Sequence, residues 1–225
     1  DGAHRPASLQ ALMSPVRAAA LAAVVAAALI AAPPAPAVDD PWQVVDDFRR
    51  ALDGSGPLSA GFVQTFVPFG FAPEDGETER GSLAIDLPGC LRWDYDPPFE
   101  KAFLLCGRTV HHWNPGETVG QRYDLSERPA PGLDFFLLTT SDLRDRYEAE
   151  LDTAEGNRLR LVLRPLEPSE DVALVQVVID EDQRLRELTY RDAQRSENRF
   201  VVGDYRSGAP PGRFEPPAGI DWEEP

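Results

Sequence analysis

The stretch Gly81-Ser82-Leu83-Ala84-Ile85-Asp86-Leu87-Pro88-Gly89-Cys90-Leu91-Arg92-Trp93-Asp94-Tyr95-Asp96-Pro97-Pro98-Phe99-Glu100-Lys101-Ala102-Phe103-Leu104-Leu105-Cys106 decides the fold. Its apolar residues recur with period two: Leu83, Ile85 and Leu87, then Leu91, Trp93 and Tyr95. Successive side chains of a strand point to opposite faces, so this is the signature of strands rather than of helix. Pro88-Gly89 and Asp96-Pro97-Pro98 are turn sequences. Centring the second turn on Pro98 sets Leu91 opposite Leu105, Trp93 opposite Phe103 and Cys90 opposite Cys106. The two apolar pairs then share one face of the sheet and the cysteine pair lies on the other. Directly opposed antiparallel positions come close enough for a disulfide. The alternative is two free thiols.

Outward from this hairpin the period-two pattern continues. Phe62, Gln64 and Phe66 alternate with Gly61, Val63 and Thr65. Short runs at 102–105, 109–113, 158–163, 174–179, 185–190 and 198–204 have turn residues between them. Many short strands with tight turns predict a strongly curved antiparallel sheet. Ahead of the strands, Pro41 to Leu52 reads as an amphipathic helix. Trp42, Val45, Phe48 and Leu52 fall on one side, Asp46, Asp47, Arg49 and Arg50 on the other. Asp39 or Asp40 can cap it, Pro41 suits its first turn, and Asp53-Gly54-Ser55-Gly56-Pro57 stops it. A second short helical stretch is predicted near Pro131 to Leu138. Pro210-Pro211 and Pro216-Pro217 mark an irregular C-terminal arm.

The first 37 residues are of another kind. After Met13 come Arg17, an uncharged apolar run from Ala18 to Ala32, and Ala35-Pro36-Ala37. A basic residue, a short apolar run and a small-x-small site predict a cleavable secretory signal, cut after Ala37, with Met13 the expected start. The run is shorter than the roughly 18–20 residues of a membrane span. With no cysteine beside the cut for lipidation, the expected product is a diffusible periplasmic protein with one domain over 38–225. In that oxidising compartment a disulfide is the favoured state of Cys90 and Cys106.

The chain carries a formal net charge of −16. Loss of the leader, with two arginines and one aspartate, makes it one unit more negative. Such a chain repels phosphate backbones and anionic headgroups, which argues against nucleic-acid binding. Catalytic patterns are missing. Of three histidines, His4 falls in the leader, and His111 and His112 are neighbours on a strand with opposed side chains. There is no zinc spacing, nucleophile elbow, phosphate loop or calcium loop. The expectation is a protein that is not an enzyme and needs neither metal nor cofactor. In excess are apolar side chains on one sheet face: Phe62, Phe66, Leu83, Ile85, Leu91, Trp93, Phe103 and Leu105, joined by Trp42 and Phe48 on the helix. They read either as an ordinary core or as the wall of an apolar cavity.

The chain resembles the LolA family of periplasmic outer-membrane lipoprotein carriers. Leu58-Ser59-Ala60-Gly61-Phe62-Val63-Gln64 is similar to its early strand with Phe-x-Gln. Pro88-Gly89-Cys90-Leu91-Arg92-Trp93-Asp94-Tyr95-Asp96-Pro97-Pro98 resembles its most specific motif. Cys106-Gly107-Arg108-Thr109-Val110, Trp113-Asn114-Pro115 and Phe214-Glu215-Pro216-Pro217-Ala218-Gly219-Ile220-Asp221 follow in the family's order. The resemblance implies an incomplete β-barrel with a helical lid over an apolar cavity. It implies a cavity for lipoprotein acyl chains, an inner-membrane ABC-type release complex as donor and an outer-membrane receptor as acceptor, with a monomeric, cofactor-free carrier between them. A general periplasmic lipid or glycolipid carrier, or a sensory or protein-binding domain on the same fold, are the alternatives. The chain departs from the family in the long Val67–Arg80 stretch, around Asp192-Ala193-Gln194-Arg195, and at Leu87, where some relatives have a basic residue. Arg92 sits in the Arg-Trp position. Its parity turns it from the cavity, toward a surface pair with Asp94 or a partner contact.

Overall fold

The computed structural model describes residues 40–125 and 133–224. The signal segment and Pro131 lie outside them. Helix α1 (Pro41–Ser55) opens the described chain. The Asp40 carboxylate accepts the Trp42 amide at 3.0 Å, and Gly56 follows the helix at φ 62°. A left-handed residue here is cheap only for glycine, so the helix ends where the sequence places its stop.

Twelve strands follow, all in one sheet. They are β1 (Leu58–Val67), β2 (Glu77–Asp86), β3 (Cys90–Tyr95), β4 (Ala102–Cys106), β5 (Thr109–Trp113), β6 (Val119–Asp124), β7 (Tyr147–Ala154), β8 (Arg158–Pro165), β9 (Leu174–Ile179), β10 (Leu185–Arg191), β11 (Glu197–Ser207) and β12 (Asp221–Glu223). The spatial order is β12-β6-β5-β4-β3-β2-β1-β11-β10-β9-β8-β7, so the sheet has two free edges and does not close into a barrel. Every pairing is antiparallel except that of β12 with β6. Between β6 and β7 lie two short helices, α2 (Asp134–Leu137) and α3 (Thr140–Arg146).

The register of β3 with β4 is the one the sequence dictates: Cys90 faces Cys106, Leu91 faces Leu105 and Trp93 faces Phe103. The cysteines are joined as a disulfide. Gly81 faces Phe62 across β1 and β2. A Cβ on Gly81 would lie 2.7 Å from the Phe62 ring and 2.1 Å from the Asp94 carbonyl oxygen, so only glycine admits both.

The sheet packs on both faces. On one, Val44, Val45, Phe48 and Leu52 of α1 and Phe135 of α2 join the inward residues of β1, β2, β3 and β8–β11 in the main core. On the other, Ala102, Leu104 and Trp113 are covered by Phe214, Ile220 and Trp222 of the C-terminal arm, with the disulfide beside them. Gly120 makes the room for Trp222: a Cβ there would sit 2.6 Å from its ring.

The polar side of α1 is less wet than its pattern predicts. Arg49 donates to the Phe135 carbonyl at 2.8 Å and Asp46 accepts from the Thr140 hydroxyl. These charged groups satisfy the polar atoms of the α2–α3 segment. Helix α3 itself was not anticipated. Its signal is the capping box Thr139-x-x-Asp142, whose reciprocal bonds are both formed.

Candidate functional site

Between the inner face of the sheet and the α2 segment lies a cavity of about 430 Å3. Its wall is built strand by strand. Leu83 and Ile85 come from β2, Leu91, Trp93 and Tyr95 from β3, and Phe103 and Leu105 from β4. Val110 of β5 and Tyr123 of β6 extend it on one side. On the other stand Leu185, Leu188 and Tyr190 of β10 with Phe200 and Val202 of β11. Leu133 and Phe136 close it from above, and Asp171 enters from the β8–β9 connection.

Alternation explains most of this wall, since residues two apart share a face. Strand β10 breaks the rule: Leu185 is odd, Leu188 and Tyr190 even. A register shift between Leu185 and Glu187 supplies the extra residue and turns all three inward. Strict alternation in the sequence cannot reveal such a bulge.

The cavity has unlike ends. Ile85, Leu91, Leu105, Val110 and Leu185 make one end largely aliphatic, with Tyr123 beside Val110. At the other, the Tyr95 hydroxyl donates to Gln64 Oε1 at 2.6 Å, and Gln64 Nε2 donates to Asn198 Oδ1 at 2.9 Å. Tyr190 pairs with Asn198 in the β10–β11 register. Burial raises the ionisation of both tyrosines, reinforced by Glu79 at Tyr95 and by Asp192 at Tyr190, so both phenols stay neutral.

Of the ten apolar residues expected around a cavity, Leu83, Ile85, Leu91, Trp93, Phe103 and Leu105 line this one. Phe62 does not. It is buried behind the wall, with its ring 5.0 Å from Tyr95 and 6.1 Å from Phe200, in the space that Gly81 leaves. Phe66 is half-buried toward the end of β1, opposite Glu77 and Asn198. Phe48 packs on Phe135 at 5.4 Å and borders a second, smaller hollow of about 350 Å3. Trp42 packs at the margin of the core with the Arg144 guanidinium 5.6 Å above its ring. Phe136 borders both hollows.

Arg92 points to the opposite face, as its parity requires. It makes a bidentate pair with Asp94 and donates to the Arg213 carbonyl at 3.1 Å. Arg213 approaches the same carboxylate at 2.6 Å. The Arg92 side chain is only 14% exposed, so it clamps the C-terminal arm rather than presenting a free surface cation. His112 stacks on Phe103 at 4.3 Å and His111 meets Trp222 edge-on at 4.7 Å. Both are packed against aromatic rings, one on each face of the sheet.

The family model of the outer membrane lipoprotein carrier protein LolA matches residues 55–214. The chain belongs to the LolA family. The match takes in the whole sheet but β12, and with it every strand that walls the cavity. An outer-membrane lipoprotein carrier protein of Chromobacterium violaceum is 26% identical over 183 residues, covering 79% of this chain and 85% of its own length. Among solved structures, an uncharacterized conserved protein from Thermus thermophilus aligns with a TM-score of 0.53 at 12% identity, over 81% of this chain and 98% of its own. A putative outer membrane lipoprotein-sorting protein domain from Vibrio parahaemolyticus aligns at 0.45 and 11% identity, over 77% and 95%. The LolA-family sheet described here is thus a curved, open one with a helical cover over an apolar cavity.

Proposed function

We propose that this LolA-family chain is a diffusible periplasmic carrier that shields the acyl chains of lipoproteins in the cavity between its sheet and the α2 segment. The observation that carries the reading is the cavity itself: about 430 Å3, walled by aliphatic and aromatic side chains from seven strands, within the size range of small-molecule sites. Each methylene exposed to water costs about 0.8 kcal/mol. An unshielded acyl chain therefore does not cross an aqueous compartment at a useful rate. A wall of Leu91, Trp93, Phe103 and Leu105 removes that cost without any covalent step.

The carrier domain is taken to span 38–225, after a leader cut near Ala37. The donor is an inner-membrane ABC-type release complex and the acceptor an outer-membrane receptor, with the carrier a monomer between them. Support for reversible loading comes from the cover. Phe135 anchors α2 on Phe48, whereas Leu133 and Phe136, which close the cavity, are only partly buried. Partly buried side chains can move aside for a ligand that gains more by burial.

Purification from the native periplasm followed by mass spectrometry tests the reading. Lipoproteins are expected to travel with the protein. Recovery of free lipids or glycolipids without any lipoprotein would replace it with the general lipid carrier.

A further inference from the structure

The cavity is apolar except at one place. Among the described residues, Asp171 is the one charged side chain in its lining. It is exposed to solvent as well, so the cavity meets water where Asp171 stands. The loop that carries it is pinned beside the polar end. The Ala173 amide donates to the Arg191 carbonyl at 2.7 Å, and the Ala193 amide to the Glu170 carbonyl at 3.2 Å. Asp171 thereby joins the end of the wall that carries Tyr190, while Tyr95 is tied to the same ladder through Gln64 and Asn198.

The basic residues of this end are engaged. Lys101 is bonded to Glu79 at 2.8 Å with its ammonium 4.4 Å over the Tyr95 ring, Arg191 is bonded to Glu197 at 2.7 Å, and the Arg195 guanidinium lies over the Phe69 ring. Among the described residues no ion pair engages the Asp171 carboxylate, and Asp192 adds a second negative charge beside Tyr190. The mouth therefore presents the Asp171 carboxylate and the neutral Tyr190 phenol, while the Tyr95 face is taken by Lys101. Tyrosine faces and hydroxyl oxygens attract cations, and a carboxylate repels anionic heads.

We propose that Asp171, with Tyr190, selects acylated ligands whose polar end carries an ammonium group. This rests on the acyl-cavity reading and adds the charge of the head to it. Two sources supply such a head: the free α-amine of a lipoprotein whose terminal cysteine bears diacylglycerol but no N-acyl chain, and the amine of an ethanolamine phospholipid. Both place the tails in the aliphatic end and the ammonium at the mouth.

The test is displacement of N-phenylnaphthylamine from the full chain. Three probes are compared: a bis-palmitoylglyceryl cysteinyl-serine peptide with a free α-ammonium, its N-acetylated form, and palmitoyl lysophosphatidylethanolamine. The free amine is expected to displace the dye at a concentration about two- to fivefold below that of the N-acetyl form, the scale of a solvent-accessible ion pair. Added salt should narrow the gap. In Asp171→Asn the gap between the two peptides should vanish. Whichever ammonium probe loses more affinity in that variant names the source of the head. Equal displacement by the two peptides, or a gap that persists in Asp171→Asn, overturns the proposal and leaves the acyl cavity standing. Failure of every probe to displace the dye removes the acyl cavity, and this inference with it.

Discussion

Reducing the Cys90–Cys106 bond should cost stability without touching the cavity. The two cysteines are separated by 16 positions. A crosslink closing a loop of that length removes about 3 kcal/mol of conformational entropy from the unfolded chain. The hairpin it spans is already fastened by the Leu91–Leu105 and Trp93–Phe103 pairs on the cavity face, so the native geometry should survive. With a urea dependence of about 1–3 kcal/mol per molar, the unfolding midpoint should fall by about 1–3 M on reduction. The double variant Cys90→Ala, Cys106→Ala should fall somewhat further. The sulfurs also pack against the cluster of Ala102, Leu104, Trp113 and Phe214 on the outer face. The assay is urea unfolding followed by tryptophan fluorescence, with and without a phosphine reductant, paired with dye displacement in native buffer. Dye affinity should stay within about twofold, because the bond lies on the face turned from the cavity. A midpoint that does not move, or a cavity that stops binding while the fold persists, would refute the reasoning.

Three further outcomes follow from the same geometry. Arg92→Ala removes a bidentate pair with Asp94 and a bond to the Arg213 carbonyl; it should destabilise the fold by about 1–3 kcal/mol and loosen the C-terminal arm, seen as faster amide exchange over 213–223, with dye affinity unchanged. Trp93→Glu sets a carboxylate in the apolar wall and should weaken dye binding at least tenfold while circular dichroism stays native; retained binding would take Trp93 out of the site. Burial depresses the ionisation of His111 and His112 below 6.5; both bind a proton more readily unfolded, so their contribution is present above 6.5 and lost as pH falls through the depressed value. His111→Phe, which keeps an aromatic ring against Trp222, should flatten the loss of stability between about pH 7 and 5.

The sequence was legible where local rules act alone. One proline-centred turn and a period of two placed Cys90, Leu91 and Trp93 against their partners. Helix α1 followed from its apolar stripe. Strands β6 and β12 lack such a pattern. In β6, Val119-Gly120-Gln121-Arg122-Tyr123-Asp124 reads as polar, and Gly120 packs on Trp222, a hundred residues away. Strand β7 does alternate, with Tyr147, Ala149 and Leu151 on the core and Glu148, Glu150 and Asp152 in solvent, but it is an edge strand rich in acids. Strand β12 has three residues and a parallel partner, a contact no local pattern encodes.

The cavity divides in the same manner. Its near half, on β2 to β4, could be read from one hairpin. Its far half, on β10 and β11, depends on β1 pairing with β11 across more than a hundred residues and on the bulge at Leu185. Phe62 illustrates the limit of alternation. It shares the parity of Gln64, but the open space at Gly81 draws its ring behind the wall. Alternation tells which face a side chain takes, and neighbours decide how deep it goes.

The most direct test of the carrier account is photocrosslinking with a palmitoyl chain bearing a diazirine near its tail, followed by peptide mapping. Adducts are predicted on Ile85, Leu91, Leu105 and Leu185, the aliphatic end of the cavity. Adducts confined to the outer face, at Leu104, Trp113 or the C-terminal arm, would contradict it.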